Sequence, residues 1–388
     1  TFENEWGVYE GSLRRYGFTD YKGMTIADFS VQQKYDMNIS GATEDAAYYV
    51  SFGYLDKEGW AELPRDKNYM YKRYNVLMKA DFKINDWLSM DEQISWSAEH
   101  DDNPHFYNWD VNINTVARVN PNAKVTFPDL PYYLTQGDRD QYEQFIGKYW
   151  LDDLNALPYW HDGGRDTETK HRLLMKQGVT LTPLKGLRIR GDFSYSTYHR
   201  ERQDVASKIT AVANTGDLAN MYFENGFSGN DYIRNYSNYD QYYVANVYGE
   251  YTLDQWADHY IKAMVGYNQE WGRNTYISAQ NNVLITPVIT DLNATTGTQQ
   301  TWGSRSHVSL RGVFYRLNYS YKERYLLEAN GRYDGTSRFP KDDRFGFFPS
   351  VSAGWRLSNE PFMESTRSWL DNLKIRGSYG SLGNQLLG

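Results

Sequence analysis

Apolar residues recur at every second position along most of this chain, and a period of two fixes the backbone as extended. From Tyr74 to Ile84 one parity reads Tyr74, Val76, Met78, Ala80, Phe82 and Ile84, and the other reads Asn75, Leu77, Lys79, Asp81 and Lys83. Successive side chains of a strand point to opposite faces, so the segment has one apolar and one mostly polar face. Asn85-Asp86 signals a turn, and Leu88 to Glu99 reads as the next strand. Leu173, Met175, Val179 and Leu181 repeat the device, Pro183 to Gly186 turns, and Leu187, Ile189, Phe193 and Tyr195 alternate with Arg188, Arg190, Asp192 and Ser194. It recurs at Tyr243 to Leu253, Ile261 to Tyr267, Val313 to Tyr319, Leu327 to Tyr333, Phe347 to Leu357 and Leu373 to Tyr379. An early hairpin is expected between Gln33–Gly41 and Ala46–Leu55. The count is about 12 strands, many longer than the usual five or six residues.

The connections are asymmetric. Short turns are expected near Thr43, Asn85, Leu184, Gln255 and Glu323. Long segments alternate with them: Gly59 to Asn68, His100 to Thr167, Glu201 to Ile233, Arg273 to Gly303 and Asp334 to Arg344. A compact soluble domain rarely carries several structureless loops of this length. An outer-membrane barrel does, with short periplasmic turns and long extracellular loops. Tyr and Trp near strand ends (Trp87, Trp96, Tyr149, Trp150, Tyr251, Tyr321) are where interfacial girdles would lie. A soluble β-sandwich or propeller alternates as well, although no repeat of propeller length is found.

Composition narrows the function. Aromatic residues make up 16% of the 388 residues but the hydrophobic total is only 40%, so amphipathic Tyr carries much of the apolar character. The net charge of −8 comes with no basic stripe, which argues against nucleic acid as a partner. With no cysteine there is no disulfide, thiol nucleophile or Cys-based zinc site. No run of 18 apolar residues supplies a transmembrane helix, but barrel strands never need one. Thr1 rather than Met leads the chain, as expected of a processed chain or of a piece of something longer.

Catalytic patterns fail. No HExxH, GxSxG, P-loop or GxGxxG occurs, so no enzyme activity and no cofactor is expected. His100-Asp101-Asp102-Asn103-Pro104-His105 comes nearest to a metal site, but its spacing fits no standard ligand pattern. Asp152-Asp153 and Asp342-Asp343 are adjacent in sequence, which is not the separation in space that glycoside hydrolysis requires. The longest connection is richer in meaning. It joins many rings to amides and carboxylates, the set that buries a pyranose face and binds its hydroxyls, or grips a peptide. The candidate ligand contacts are Tyr107, Trp109, Tyr159, Trp160 and Asp162. The same rings would equally form the loop's own small core. Helical spacing is expected within Asp138 to Leu154.

One stretch is more specific than periodicity. Gly331-Arg332-Tyr333-Asp334-Gly335-Thr336-Ser337-Arg338-Phe339 is followed by Arg344-Phe345-Gly346-Phe347-Phe348-Pro349-Ser350-Val351-Ser352-Ala353-Gly354-Trp355-Arg356-Leu357. Leu373 to Gly380 and Gly383-Asn384 then follow. Together they resemble the signature of SusC/RagA-type TonB-dependent transporters, as Tyr35 to Gly41, Ala47 to Gly59 and Tyr71 to Leu88 resemble that family's early hairpins. The resemblance implies an all-β fold: an antiparallel transmembrane β-barrel portion with long extracellular loops, about 12 strands of a barrel of about 22. It implies one unit over residues 1–388, a partial barrel domain with plug and closing strands absent. It implies active import of an oligosaccharide or peptide across the outer membrane. The implied partners are a SusD-like surface lipoprotein, the TonB–ExbB–ExbD complex and outer-membrane lipid. Within the signature, Arg332, Asp334, Arg338 and Arg344 are expected to form a polar network on the lumen side, and Trp355 to face lipid with Val351, Ala353 and Leu357. A β-rich cell-surface carbohydrate-binding protein without transport, and a glycoside hydrolase, stand as alternatives. The test between them is whether the face with Val76, Met78, Phe82, Ile189, Phe193 and Leu317 packs against a second sheet.

Overall fold

The computed structural model describes residues 6–9, 12–15, 20, 23, 25–63, 68–105, 150–152, 161–213, 218–221 and 231–385. Strands β1 (Trp6–Tyr9) and β2 (Ser12–Arg15) form a small hairpin. They are followed by β3 (Gln32–Ala42), β4 (Ala46–Glu58), β5 (Met70–Asn85), β6 (Leu88–Pro104), β7 (Trp150–Asp152), β8 (Gly164–Leu184) and β9 (Leu187–Ala206). Next come β10 (Ile209–Ala213), β11 (Leu218–Met221), β12 (Tyr232–Trp256), β13 (His259–Asn282), β14 (Gln300–Tyr321), β15 (Tyr325–Thr336), β16 (Phe345–Arg356) and β17 (Lys374–Gly380). β7, β10 and β11 make a separate three-stranded sheet. The other twelve form one sheet in the order β17-β16-β15-β14-β13-β12-β9-β8-β6-β5-β4-β3, so each strand pairs with its neighbours in sequence once the small strands are set aside. All its pairings are antiparallel.

The expected hairpins are all present, including the early one, where Tyr35 faces Tyr54 and Gly41 faces Tyr48. The short turns fall where expected except near Gln255, which lies in a strand that runs on to Trp256. The long loops are the larger correction. β13 continues to Asn282 and β14 begins at Gln300, so both ends of the Arg273–Gly303 segment are strand and the connection shrinks to residues 283–299. Likewise β6 reaches Pro104 and β8 starts at Gly164, while β9 reaches Ala206 and β12 starts at Tyr232. In these upper stretches both faces are polar, as in Asp102 opposite Thr167 and Gln203 opposite Asn235, so alternation vanishes while the backbone ladder carries on. Of the stretch expected to include helix, Trp150–Asp152 is a strand, and residues 138–149 and 153–154 lie outside the described residues.

Side-chain chemistry sets the tight turns. Asn85 accepts the Trp87 backbone N–H on its side-chain oxygen at 3.0 Å, which closes the β5–β6 turn. At β14–β15 the Arg324 N–H reaches the Tyr321 carbonyl at 2.9 Å, across Lys322 (φ 51°) and Glu323 (φ 54°). Two successive non-glycine residues in the left-handed region are a local cost that Asn-Gly would relieve. Replacing Lys322-Glu323 by Asn-Gly is expected to stabilise the protein by about 1 kcal/mol. Urea unfolding reads it, and an unchanged or lowered midpoint would contradict the turn geometry.

A hydrophobic core is nearly absent. Among the described residues the buried apolar side chains are Ala61, Val205, Ala206, Tyr232 and Ile233. Exposure in β16 alternates at every residue from Phe345 to Arg356. Val265 is 60% exposed, Val247 56% and Phe347 53%. The register joins these side chains into one continuous apolar face, as in the row Val50, Met78, Ile94, Met175, Tyr195, Tyr243, Trp271. Among the described residues no second sheet packs against that face. A single layer with one uncovered apolar face is not a sandwich; it requires an apolar solvent.

Candidate functional site

The opposite face of the sheet is polar, and its charges are paired across strands. Nearest the short turns, Arg190 binds Asp91 through both terminal nitrogens at 2.8 and 3.0 Å, Asp192 at 2.8 Å and the Thr180 hydroxyl at 3.0 Å. Beside it Glu250 lies 3.1 Å from Lys262 and 3.8 Å from Arg188. Further up, Arg172 meets Glu99 at 2.5 Å, Lys170 bridges Asp101 at 3.3 Å and Glu168, Arg200 also binds Glu168, and Arg202 grips Asp166 with two nitrogens. Amides fill the spaces between: Asn268 donates to Asn246 at 2.7 Å and Asn274 to Asn238 at 2.9 Å. Paired in this way, half-buried charges satisfy one another without an apolar core.

The signature stretch builds the same face on β13–β16. Arg332 binds both oxygens of Asp334 at 2.9 Å and lies 5.5 Å over the Phe314 ring. Arg316 donates to Asn330 at 2.8 Å, and Asn330 to Glu328 at 2.6 Å. Glu270 accepts the Tyr242 hydroxyl. A cavity of about 410 Å³ opens here, lined among others by Asn268, Glu270, Arg332, Asp334, Phe339 and Phe348. The expected four-residue network is only half formed. Arg344 donates to the Phe339 carbonyl at 3.1 Å and the Arg338 N–H to Thr336 at 3.3 Å, so both residues shape the β15–β16 loop.

Where the two longest connections leave the sheet, a buried polar latch joins β6, β8, β9 and β12. His105 Nδ1 lies 2.7 Å from Asp204, with both side chains under 10% exposed. The Tyr232 hydroxyl donates to the other Asp204 oxygen at 3.1 Å, and the His105 ring meets the Tyr232 ring edge-on at 5.9 Å. Gly164 closes the group at φ +107°, where a Cβ would lie 1.9 Å from the Val205 carbonyl oxygen. Sequence reasoning missed this latch, because its members are distant in the chain and His105 was grouped with the run before it.

That run does not converge. Strand alternation sends His100 and Asp102 to one face and Asp101 to the other, where they engage Thr169, Arg165 and Lys170. Among the described residues no three His, Cys, Asp or Glu side chains are grouped to hold a metal. Of the candidate ligand contacts, Tyr107, Trp109, Tyr159 and Trp160 lie outside the described residues. Asp162 is described; it is exposed, two residues before β8.

Residues 118–384 match the model of the TonB dependent receptor-like, beta-barrel family. The chain belongs to that family. TonB-dependent receptor P26 of Formosa agariphila is 26% identical over 372 residues, which cover 91% of this chain and 32% of the relative. TonB-dependent receptor SusC of Bacteroides thetaiotaomicron is 24% identical over 380 residues, covering 92% and 34%. The chain thus spans about a third of the length of these curated relatives. Its fold is that of the RagAB peptide importer in its open-open state, with a TM-score of 0.70 at 18% identity over 97% of this chain and 39% of that one. TonB-dependent receptor β-barrels are outer-membrane proteins, and the two faces of this barrel wall take their meaning from that: apolar to lipid, polar to the lumen.

Two aromatic girdles bound the lipid face. At the short-turn end His259 contacts Trp256 at 5.0 Å and Tyr321 at 4.8 Å, and the row continues through Tyr325 to Trp355 at 6.3 Å per step. Trp355 does face outward beside Val351 and Ala353, but Leu357 has already left the strand for a 3-10 turn. The upper girdle is Phe193, Tyr243 and Trp271, stacked at 6.2 and 5.7 Å. Trp96 stacks on His171 at 6.3 Å in mid-strand, not at a strand end. The rows of His259 and Trp271 are separated by about 40 Å of strand, or about 30 Å of height at the usual tilt. Below the lower girdle Glu360 fixes the rim: it accepts the Trp355 indole N–H at 2.9 Å and Arg324 at 3.2 Å. Hydrogen bonds from Trp355 and Tyr325 hold its carboxyl below the ordinary glutamate range.

Proposed function

We propose that this chain forms part of the wall of an outer-membrane importer that takes up an oligosaccharide or peptide nutrient by TonB-dependent active transport. One observation carries the reading: a single-layer sheet with an outward apolar belt and an inward face of paired charges and amides. Such a wall lines a conduit for polar cargo. The likeness to a peptide importer supports the peptide class, and the rings, amides and carboxylates of the longest connection suit either cargo. On this reading the barrel does no covalent chemistry and is no enzyme. Energy arrives from the inner-membrane proton gradient through TonB–ExbB–ExbD, and a SusD-like lipoprotein delivers cargo at the mouth. Residues 1–388 belong to one barrel unit in a Bacteroidota-like outer membrane. The rings Tyr107, Trp109, Tyr159 and Trp160, with Asp162, contact the cargo on the connection rooted at the His105–Asp204 latch.

The test is uptake by the full-length protein in its host, with fluorescent oligosaccharides and peptides offered separately. Uptake is expected to stop when a protonophore collapses the proton gradient. In Trp109→Ala/Trp160→Ala it is expected to fall about tenfold or more. Binding without gradient-dependent uptake would favour the surface carbohydrate-binding alternative. Unchanged uptake in the double variant would remove those rings from the site.

A further inference from the structure

The lipid face has a chemical discontinuity at its upper edge. The outward positions of β12 through β16 carry no carboxylate and no lysine among the described residues. Their formal charges are three guanidiniums, all on the adjoining strands β13 and β14: Arg273, Arg305 and Arg311. Arg273 pairs in register with His307, Arg305 with Thr275, and Arg311 with Gln269, so all share the face of Val265 and Val313. Arg311 stands two residue pairs above Tyr267–Val313, at the top of the apolar belt, and Arg273 and Arg305 lie just above the Trp271 girdle. Arg305, His307 and Arg311 are exposed and Arg273 is half-buried. Among the described residues none of the three guanidiniums has a hydrogen-bond or ion-pair partner; Arg311 only covers the Phe345 ring at 5.2 Å. The lumen guanidiniums Arg172, Arg190, Arg200, Arg202 and Arg332 are paired, whereas Arg73 on that face keeps a buried Nε without a hydrogen-bond partner among the described residues.

We propose that Arg273, Arg305 and Arg311 bind the phosphate groups of a phosphorylated glycolipid of the outer leaflet. The patch adjoins the lipid belt on the side of the long connections, which is the extracellular side of an outer-membrane barrel. Its occupant therefore has acyl chains beside Val265 and Val313 and an anionic head at the level of the arginines. Guanidinium forks match phosphate oxygens in planar, bidentate pairs, and a long Arg stem lets the charge rise from the belt to the headgroup. A shallow cavity on neighbouring strands, lined among others by Thr167, Thr169, Gln203, Asn235 and Ser237, offers hydroxyls and amides to sugar; it also holds Glu201, whose carboxylate lies 3.4 Å from His199 on β9, with β12 and β13 between it and Arg305.

The experiment is native mass spectrometry of the full-length transporter in detergent. It is titrated with a monophosphorylated lipid A, the same lipid dephosphorylated, phosphatidylglycerol, and inorganic phosphate. Arg273→Gln/Arg305→Gln/Arg311→Gln is expected to lose at least fivefold in affinity for the phosphorylated glycolipid, and the dephosphorylated lipid is expected to bind the native protein no better. A smaller loss overturns the proposal. So does equal binding of phosphatidylglycerol, competition by inorganic phosphate alone at the same concentration, or loss from the triple variant of a co-purifying protein while glycolipid stays. Arg305→Gln alone, on an exposed side chain without partners, keeps the test valid if the triple variant does not fold; it too must weaken binding measurably.

Discussion

Val265→Arg is expected to cost about 2–4 kcal/mol, whereas Met264→Arg, the next residue along the chain, is expected to cost less than about 0.5 kcal/mol. Val265 is 60% exposed and points outward in the row Gly249, Val265, Tyr315, Gly331, midway between the girdles. A guanidinium there must either enter hydrocarbon or drag water to itself, and neither girdle is close enough for its stem to reach. Met264 points the other way, between Glu250 and Arg316 on the lumen wall, where a cation keeps its water and the acid on one side offsets the like charge on the other. Equilibrium unfolding in lipid vesicles and abundance in the outer membrane both read the difference. Equal effects, or a larger effect at Met264, would reverse the assignment of the two faces and with it the transport proposal.

Asp204→Ala is expected to loosen the mouth by about 3 kcal/mol, because it leaves the buried His105 ring and Tyr232 hydroxyl without their shared acceptor. The loss is local. Amide exchange at the upper ends of β9 and β12, and protease cleavage within residues 106–163 and 207–231, should accelerate about a hundredfold, while the belt below Trp271 keeps its protection. Asp204→Asn retains an oxygen for the Tyr232 hydroxyl and should keep roughly half of the stability. Exchange unchanged at both strand ends in Asp204→Ala would show that the latch does not hold the connections.

The sequence made legible what the bilayer writes into it. Between the girdles one face must be apolar, so Val313, Tyr315, Leu317 and Tyr319 announce their strand at a glance, and the expected hairpin with Leu327 to Tyr333 is present, Tyr319 opposite Leu327 and Val313 opposite Tyr333. Above the girdles water wets both faces, and selection no longer spaces apolar residues by two. Thr275 and Ile277 on β13 are as firmly paired as Val265, yet nothing in their pattern says strand. Reading that stretch as loop took Arg273 off the sheet and assigned to connections what belongs to the wall. The latch was hidden differently: Asp204 and Tyr232 meet only because β9 and β12 are neighbours across a long connection, and no spacing in the chain encodes that.

The two connections rooted at the latch begin and end on adjacent strands, and this separates the length of the connections from the integrity of the wall. Closing a flexible segment costs free energy only as the logarithm of its length, so doubling a connection of about 60 residues adds about 0.6 kcal/mol. Insertions and deletions between His105 and Gly164 that leave the latch and β7 in place are therefore expected to cost the hairpins below little. On the proposed function, a change of cargo can be met by rewriting the part of that segment beyond the latch while the paired charges and the aromatic rows stay as they are.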